Sequence, residues 1–281
     1  MKLGTSAILL TAALAAQNPA SDLTATGRVA LATGQPAKAI TLATQAVAAD
    51  AGYAPAYLLR VQAHEAMQSW ESAIADYDKL IKLHPEAANL YNGRGAARFR
   101  LGHIDHSIAD FDQAIALDPA QAPQHWQRGI SLYYARRYED GRRQFESHQT
   151  VNPSDVENAA WHFLCVARSK GPEAAKASLL PIAHDARVPM REIYALFGGA
   201  GKEDQVMSAA RAGNPAEDAR RERLFYAHLY IGLYNEALGQ TKAARQHIER
   251  AERNAPRHYM GDVARVHLML LRAPRSGGGA P

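Results

Sequence analysis

Cysteine is almost absent from this sequence, which limits the chemistry that the chain could support. Cys165 is its only cysteine among 281 residues, so no intramolecular disulfide can form. No cysteine stands directly after the apolar run near Met1, so we expect no lipid attachment through an N-terminal cysteine. Cys165 stands beside Phe163 and Leu164, a setting typical of a small core residue. His162 would point away from it on a helix, so no Cys–His nucleophile is predicted.

A strong charge of one sign is also missing. The net charge is only +4, and residues 1–153 carry 14 basic and 14 acidic side chains. Nucleic-acid-binding proteins normally present a denser basic stripe with interleaved aromatic residues. We therefore expect no nucleic-acid partner.

No apolar run is long enough to span a membrane. The longest, from Leu3 to Leu14, is shorter than the ~20 residues that a membrane-spanning helix needs. The residues Ala13-Leu14-Ala15 fit a small-x-small cleavage site, so residues 1–16 are interpreted as a signal peptide. The alternative is a first alanine-rich helix. The prediction is an exported protein, periplasmic or secreted, without a lipid anchor.

What the sequence does contain is an internal repeat. Pro85, Pro119 and Pro153 are spaced 34 residues apart. Within residues 88–119, apolar and small residues recur at helical spacing on both sides of a Leu101-Gly102 break, and Asp118-Pro119 ends the second helix. Small and large residues keep the same phase in other periods; the small residues are Gly27, Gly95 and Gly129, and the large ones are Tyr77, Phe111 and Phe145.

This pattern of paired helices resembles the tetratricopeptide repeat (TPR) family. The resemblance implies an all-α fold, a TPR α-solenoid forming a right-handed superhelix of about seven helix pairs plus a C-terminal capping helix. A disordered tail is expected after residue 272, at 273–281. Within 17–272, the predicted parts are regular repeats at 20–51, 54–85, 88–119 and 122–153, a degenerate stretch at 156–215, a last repeat at 225–256 and the capping helix at 258–272.

Arginine recurs at one position of the repeat. Arg94 is expected to hydrogen-bond Asp110 across its helix pair, and Arg60 and Arg128 are the equivalent residues facing Asp76 and Gln144. The alternative is that these guanidinium groups extend to water. Either role is structural.

No catalytic, cofactor or metal site can be assembled from the sequence. Residues 197–202 resemble a phosphate loop only superficially, since the first glycine position is Leu196 and Glu203 follows Lys202. His103 and His106 could share a metal, but further ligands are not evident. We therefore predict a protein that is not an enzyme and has no cofactor.

In TPR proteins the concave face of the first helix of each pair binds partner segments, and the resemblance implies the same surface here. Trp126 and its aromatic neighbours are the residue types that anchor interfaces. Whether Trp126 belongs to the groove or to the core stays open at this stage. The predicted protein-binding residues are Gln62, Glu65, Asn92, Phe99, Arg100, Trp126, Ile130, Tyr133 and Tyr134.

Residues 125–134 and 161–164, with the later Phe225-Tyr226, resemble the new-lipoprotein type of periplasmic TPR adaptor. That resemblance implies an adaptor that brings a protease to cell-wall hydrolases, although the lipidated cysteine of those proteins is missing. The expected partner is a protein segment in the groove, and a homodimer is left open. The alternatives are a structural subunit of an envelope assembly and an enzyme with a site in 171–215.

Overall fold

The computed structural model describes residues 18–272, which are helical and contain no β-strand. The predicted signal peptide at 1–16 and the tail at 273–281 lie outside the described residues. The all-α class and the consecutive helix pairs are confirmed. Residues 18–69 form one compact unit with three helices, α1 Pro19–Ala32, α2 Pro36–Ala49 and α3 Ala54–Ala66.

The second unit begins at Trp70, so the boundary between units falls inside the predicted repeat 54–85. Its helices are α4 Trp70–Leu83, α5 Ala88–Arg100, α6 Ile104–Leu117, a 3₁₀ segment Pro119–Gln124, α7 Trp126–Tyr134, α8 Tyr138–Gln149, α9 Val156–Lys170, α10 Pro172–Ala177, α11 Met190–Phe197, α12 Glu203–Arg211, α13 Glu217–Ala237, α14 Thr241–Arg253 and α15 Tyr259–Arg272.

In the first unit, alanine lets the helices approach closely. Ala39, Ala43 and Ala46 on α2 are fully buried. A Cβ atom on Gly27 would lie 2.5 Å from a methyl carbon of Leu59, so a larger residue on α1 would clash with α3. This unit therefore packs through small residues and contains no large aromatic core.

In the second unit, glycine and an aromatic ring meet at the crossings of α5 with α6 and of α7 with α8, as the repeat phase predicts. A Cβ atom on Gly95 would lie 3.0 Å from the Phe111 ring, and one on Gly129 would lie 2.7 Å from the Phe145 ring. Both rings are buried. The absence of a side chain at the crossing thus makes room for the ring of the following helix.

The arginine position of the repeat joins three helices. Arg94 on α5 donates to Asp110 on α6 at 2.6 Å, which confirms the predicted bond, and also to Asp78 on α4 at 2.5 Å. The second bond links successive helix pairs and was not foreseen. One period later the distances are 3.1 Å from Arg128 to Gln144 and 2.6 Å from Arg128 to Asp112.

The irregular middle contains four helices and a segment without helix at residues 178–189. Helix α13 begins at Glu217, eight residues before the predicted start of the last repeat at 225, and runs for 21 residues. Glu217 and Asp218 in its first turn suit the positive end of the helix dipole. Among residues 18–272, none of the helices is both long and apolar enough to cross a bilayer.

Candidate functional site

Helix α15 lies against α5 and α7, on the surface where the partner groove is predicted. The Tyr259 ring stacks on Phe99 of α5, with centroids 5.1 Å apart and an interplanar angle of 19°. The edge of Trp126 meets the same ring at 5.1 Å. Tyr259 is therefore held between two of the predicted groove aromatics.

A charged pair fixes α15 to α5. The Arg100 Nε atom donates to Asp262 Oδ2 at 2.7 Å. The same guanidinium lies 4.4 Å from the ring centroid of Trp70 and 5.3 Å from that of Tyr259. Arg100 is thus bound by a carboxylate and two aromatic rings of the chain itself.

A third contact lies farther along α15. The Tyr134 hydroxyl is 3.0 Å from His267 Nδ1, and His267 Nε2 is 2.9 Å from Glu236 on α13. His267 is only 3% exposed. Phe99, Arg100 and Tyr134, which were predicted to contact a partner, therefore contact α15 instead, because the predicted capping helix returns along the first helices of the repeats.

An open cavity remains beside the start of α15. Its volume is about 470 Å³, and Trp126 and Ile130 are the predicted groove residues that line it. Trp126 is half-buried and belongs partly to the core and partly to the groove. Its ring packs against Tyr259, and the residue also lines the cavity. The other lining residues are Gln124, Phe145, His148, Val151, Asn152, Asp155, Glu157, Asn158, Trp161 and Met260.

Two polar atoms of the cavity lining have no hydrogen-bond partner within residues 18–272: Asn158 Oδ1 and Trp161 Nε1. The Asn158 amide nitrogen donates to the Phe145 carbonyl at 3.1 Å and to Gln149 at 3.0 Å, which fixes the amide plane. Asn158 is 3% exposed and Trp161 2% exposed. Unpaired buried polar groups are costly, and each of these atoms has less than 1 Å² of accessible surface, so a ligand's hydrogen bond to either requires neighbouring side chains to move.

Two carboxylates, those of Asp155 and Glu157, line the cavity together with Asn158 and Trp161. Asp155 caps α9 through the Glu157 N–H at 3.1 Å. Arg187 donates to Asp155 and to Glu157 at 2.6 Å each, and Tyr230 donates to the other Glu157 oxygen at 2.6 Å. Burial, followed by repulsion from Asp155, raises the pKa of Glu157 to about 7.

The remaining predicted groove residues have different environments. Tyr133 is 6% exposed, packs 5.4 Å from the Trp161 ring, and does not line the cavity. Asn92 is half-buried on α5. Gln62 is exposed and Glu65 is half-buried, and both lie on α3 in the first unit.

Sequence reasoning missed the acidic part of the cavity. None of the predicted protein-binding residues lies on α9, which contributes Glu157, Asn158 and Trp161 to the cavity lining. The sequence does contain a signal for these carboxylates. Ser154-Asp155 is typical of a helix start, which places Asp155 at the N-cap and Glu157 in the first turn of α9.

The other segments singled out in the sequence have structural roles. Residues 198–202 form the turn between α11 and α12, with no preceding strand in the described chain. Cys165 is fully buried, and burial raises the pKa of its thiol. The rings of His103 and His106 lie 6.3 Å apart, and the described residues contain no cluster of three or more His, Cys, Asp or Glu side chains placed to hold a metal.

Comparisons with known proteins agree on the fold. Residues 62–102 match a family model described as a TPR repeat, and residues 88–121 match one described as a tetratricopeptide repeat. No curated protein sequence matches the chain.

Three solved structures resemble this chain at low sequence identity, and two of them are described as TPR proteins. A tetratricopeptide repeat protein from Parabacteroides merdae ATCC 43184 is 12% identical, with a TM-score of 0.60, over 89% of this chain and 99% of that chain. The MamA protein is 15% identical, with a TM-score of 0.55, over 70% and 97%. YrrB, described as a TPR protein with an unusual peptide-binding site, is 14% identical, with a TM-score of 0.54, over 68% and 92%.

These likenesses show the fold of the chain. They do not locate a binding site. Residues 62–121 carry tetratricopeptide repeats, and the chain has the all-α fold of TPR solenoid proteins.

Proposed function

We propose that this protein is a non-enzymatic scaffold that binds a segment of a partner protein at the cavity lined by Trp126 and Trp161. The observation that carries the proposal is the cavity itself. It combines two tryptophans, buried polar atoms without partners and a volume of about 470 Å³, within the range of roughly 300–1,000 Å³ that is usual for ligand pockets.

The position of α15 explains why the cavity, and not the whole predicted groove, is the proposed contact. Side chains of α15 already contact three of the predicted groove residues. Tyr259 stacks on Phe99, Asp262 accepts a hydrogen bond from Arg100, and His267 is hydrogen-bonded to Tyr134. The first turn of α15 also contributes Met260 to the cavity lining, so a segment bound in the cavity would lie beside α15. Binding there would raise the effective concentration of the partner near anything else attached to the scaffold.

The proposal includes an envelope location and an adaptor role. It is motivated by the apolar run and the Ala13-Leu14-Ala15 segment in the sequence, together with the resemblance to periplasmic adaptors. N-terminal sequencing of the protein from its native host tests the location. A mature chain that still begins at Met1 or Lys2 would rule out cleavage after Ala15 or Ala16.

Selection from a peptide-display library on the full chain, followed by titration of the selected peptides, tests the binding role. Trp126→Ala should weaken selected peptides about 30-fold, equivalent to about 2 kcal/mol, because an interface anchor is lost. Leu83→Ala, which shortens an exposed apolar side chain on α4, is the control and should leave the affinity unchanged. Failure to select any peptide that depends on Trp126 would overturn the proposed function.

A further inference from the structure

We propose that the cavity receives a basic side chain, lysine or arginine, from the bound segment, between Trp126 and Trp161 and against Asp155, Glu157 and Asn158. This inference rests on the proposed function and deepens it, since it names the chemistry of the anchoring residue. Three independent features of the cavity favour a cation.

The first feature is charge. Asp155 and Glu157 line the cavity, and neither lysine nor arginine is among its lining residues. Behind them, Arg187 alone contacts three carboxylates, those of Asp155, Glu157 and Asp185. When all three are ionised, one guanidinium leaves two negative charges unbalanced. A cationic ligand restores that balance, whereas an anionic one would add to the repulsion.

The second feature is the unpartnered Asn158 Oδ1. Its amide nitrogen is held by Phe145 and Gln149, so the oxygen cannot turn away to find another donor. An ammonium or guanidinium group offers only donors, which suits this acceptor and the adjoining carboxylates. Trp161 Nε1 is a donor, and the backbone carbonyl of the same bound residue can accept from it.

The third feature is the aromatic wall. Tryptophan attracts cations most strongly among the aromatic side chains, and Trp126 and Trp161 both line the cavity. The neighbouring Arg100 shows the same combination within the chain, since its guanidinium lies 4.4 Å from the Trp70 centroid while pairing with Asp262. The cavity lining repeats that arrangement of aromatic ring and carboxylate, with Arg187 bonded to the carboxylates but not itself among the lining residues.

The raised pKa of Glu157 gives the inference a second readout. The groups that act on this carboxyl are Asp155, Arg187 and Tyr230, with His148 on the facing wall of the cavity. A cation bound beside Glu157 favours its ionised form and lowers its pKa. Binding therefore releases a proton near neutral pH, and affinity should rise from pH 6 to pH 8.

The probes are N-acetyl-arginine amide and N-acetyl-lysine amide, with the neutral N-acetyl-citrulline and N-acetyl-norleucine amides as matched controls. The full chain labelled with fluorotryptophan gives separate fluorine NMR signals for Trp70, Trp126 and Trp161. The signals of Trp126 and Trp161 should shift with the two basic amides at affinities about tenfold higher than with the neutral ones. Trp70, already covered by Arg100, is the internal control and should stay unchanged.

Glu157→Gln keeps the volume and the Tyr230 hydrogen bond, and should weaken the arginine amide about tenfold and abolish the pH dependence. Because this variant could disturb folding, the pH dependence in the unaltered chain is a separate test. Equal affinity for arginine and citrulline amides, or an affinity that does not rise with pH, would overturn the inference.

The two proposals can fail separately. Selected peptides that depend on Trp126 but tolerate replacement of every lysine and arginine would overturn the basic anchor and leave the proposed function standing. Binding of the arginine amide at Trp126 and Trp161, without any peptide that depends on Trp126, would support the basic site and overturn the scaffold role.

Discussion

Arg100 Nε donates to Asp262 Oδ2 at 2.7 Å, across 162 residues of sequence. This bond ties α15 to α5 and places Tyr259 over Phe99. The side chains of Arg100 and Asp262 are 16% and 9% exposed, so both charges are largely removed from water. The chain thus uses its own last helix to cover part of the surface that TPR proteins offer to partners.

Arg100→Met should destabilise the fold by about 1–3 kcal/mol, because the buried Asp262 carboxylate then keeps only its bond to Arg265, at 2.7 Å. Urea unfolding of the full chain measures the change. The double variant Arg100→Met with Asp262→Leu should lose less than the sum of the two single variants, since no buried charge is left alone. Arg245→Met removes an exposed pair with Glu249 and should change stability by less than about 0.5 kcal/mol.

Trp126 and Trp161 should differ in their effect on stability although they line the same cavity. Trp161 is 2% exposed, so Trp161→Ala should cost about 3–5 kcal/mol. Trp126 is half-buried, and Trp126→Ala mainly removes its ring contact with Tyr259. This substitution should therefore lower the free energy of unfolding by about 1–2 kcal/mol. Equal shifts of the urea midpoint for the two variants would show that Trp126 is core and remove it from the binding surface.

Glu157 should make stability depend on pH. Its pKa is raised from the ordinary 4.5 to about 7 in the folded chain, so its contribution is fully present below pH 4.5 and is lost as pH rises through 7. The free energy of unfolding of Glu157→Gln, measured relative to wild type, should therefore be about 2–3 kcal/mol larger at pH 8 than at pH 5. Urea unfolding at several pH values measures it.

The control for this titration is Leu83→Ala, at an exposed side chain that carries no titratable group. Its stability relative to wild type should stay constant over the same pH range. A Glu157→Gln curve that runs parallel to wild type would contradict the raised pKa and its assigned cause, burial beside Asp155.

Gly129→Ala tests the crossing of α7 and α8. The new Cβ would lie 2.7 Å from the Phe145 ring, and overpacking of this kind costs about 1–3 kcal/mol. The higher helix propensity of alanine offsets about 1 kcal/mol of this cost, so a net loss of up to about 2 kcal/mol is expected. Adding Phe145→Leu should recover part of the loss, whereas Gly52→Ala, where the Cβ would lie 3.4 Å from the nearest atom, should have little effect.

The sequence by itself determined the repeat. The phase of Gly95 with Phe111, and of Arg94 with Asp110, follows from contacts inside one helix pair, where residues 16 apart face each other. Such contacts are set by helical periodicity and a short turn, so a single sequence reveals them. The second partner of Arg94, Asp78, was missed because it belongs to the preceding pair, although it also lies 16 residues away.

Only the tertiary structure decided where α15 lies and what the cavity contains. Tyr259 and Asp262 are separated from Phe99 and Arg100 by about 160 residues, and no periodicity relates them. The acidic wall depends on Arg187, which reaches Asp155 and Glu157 from the irregular segment before α11. Long-range returns of this kind follow from the packing of complete helices, whose placement local sequence patterns do not encode.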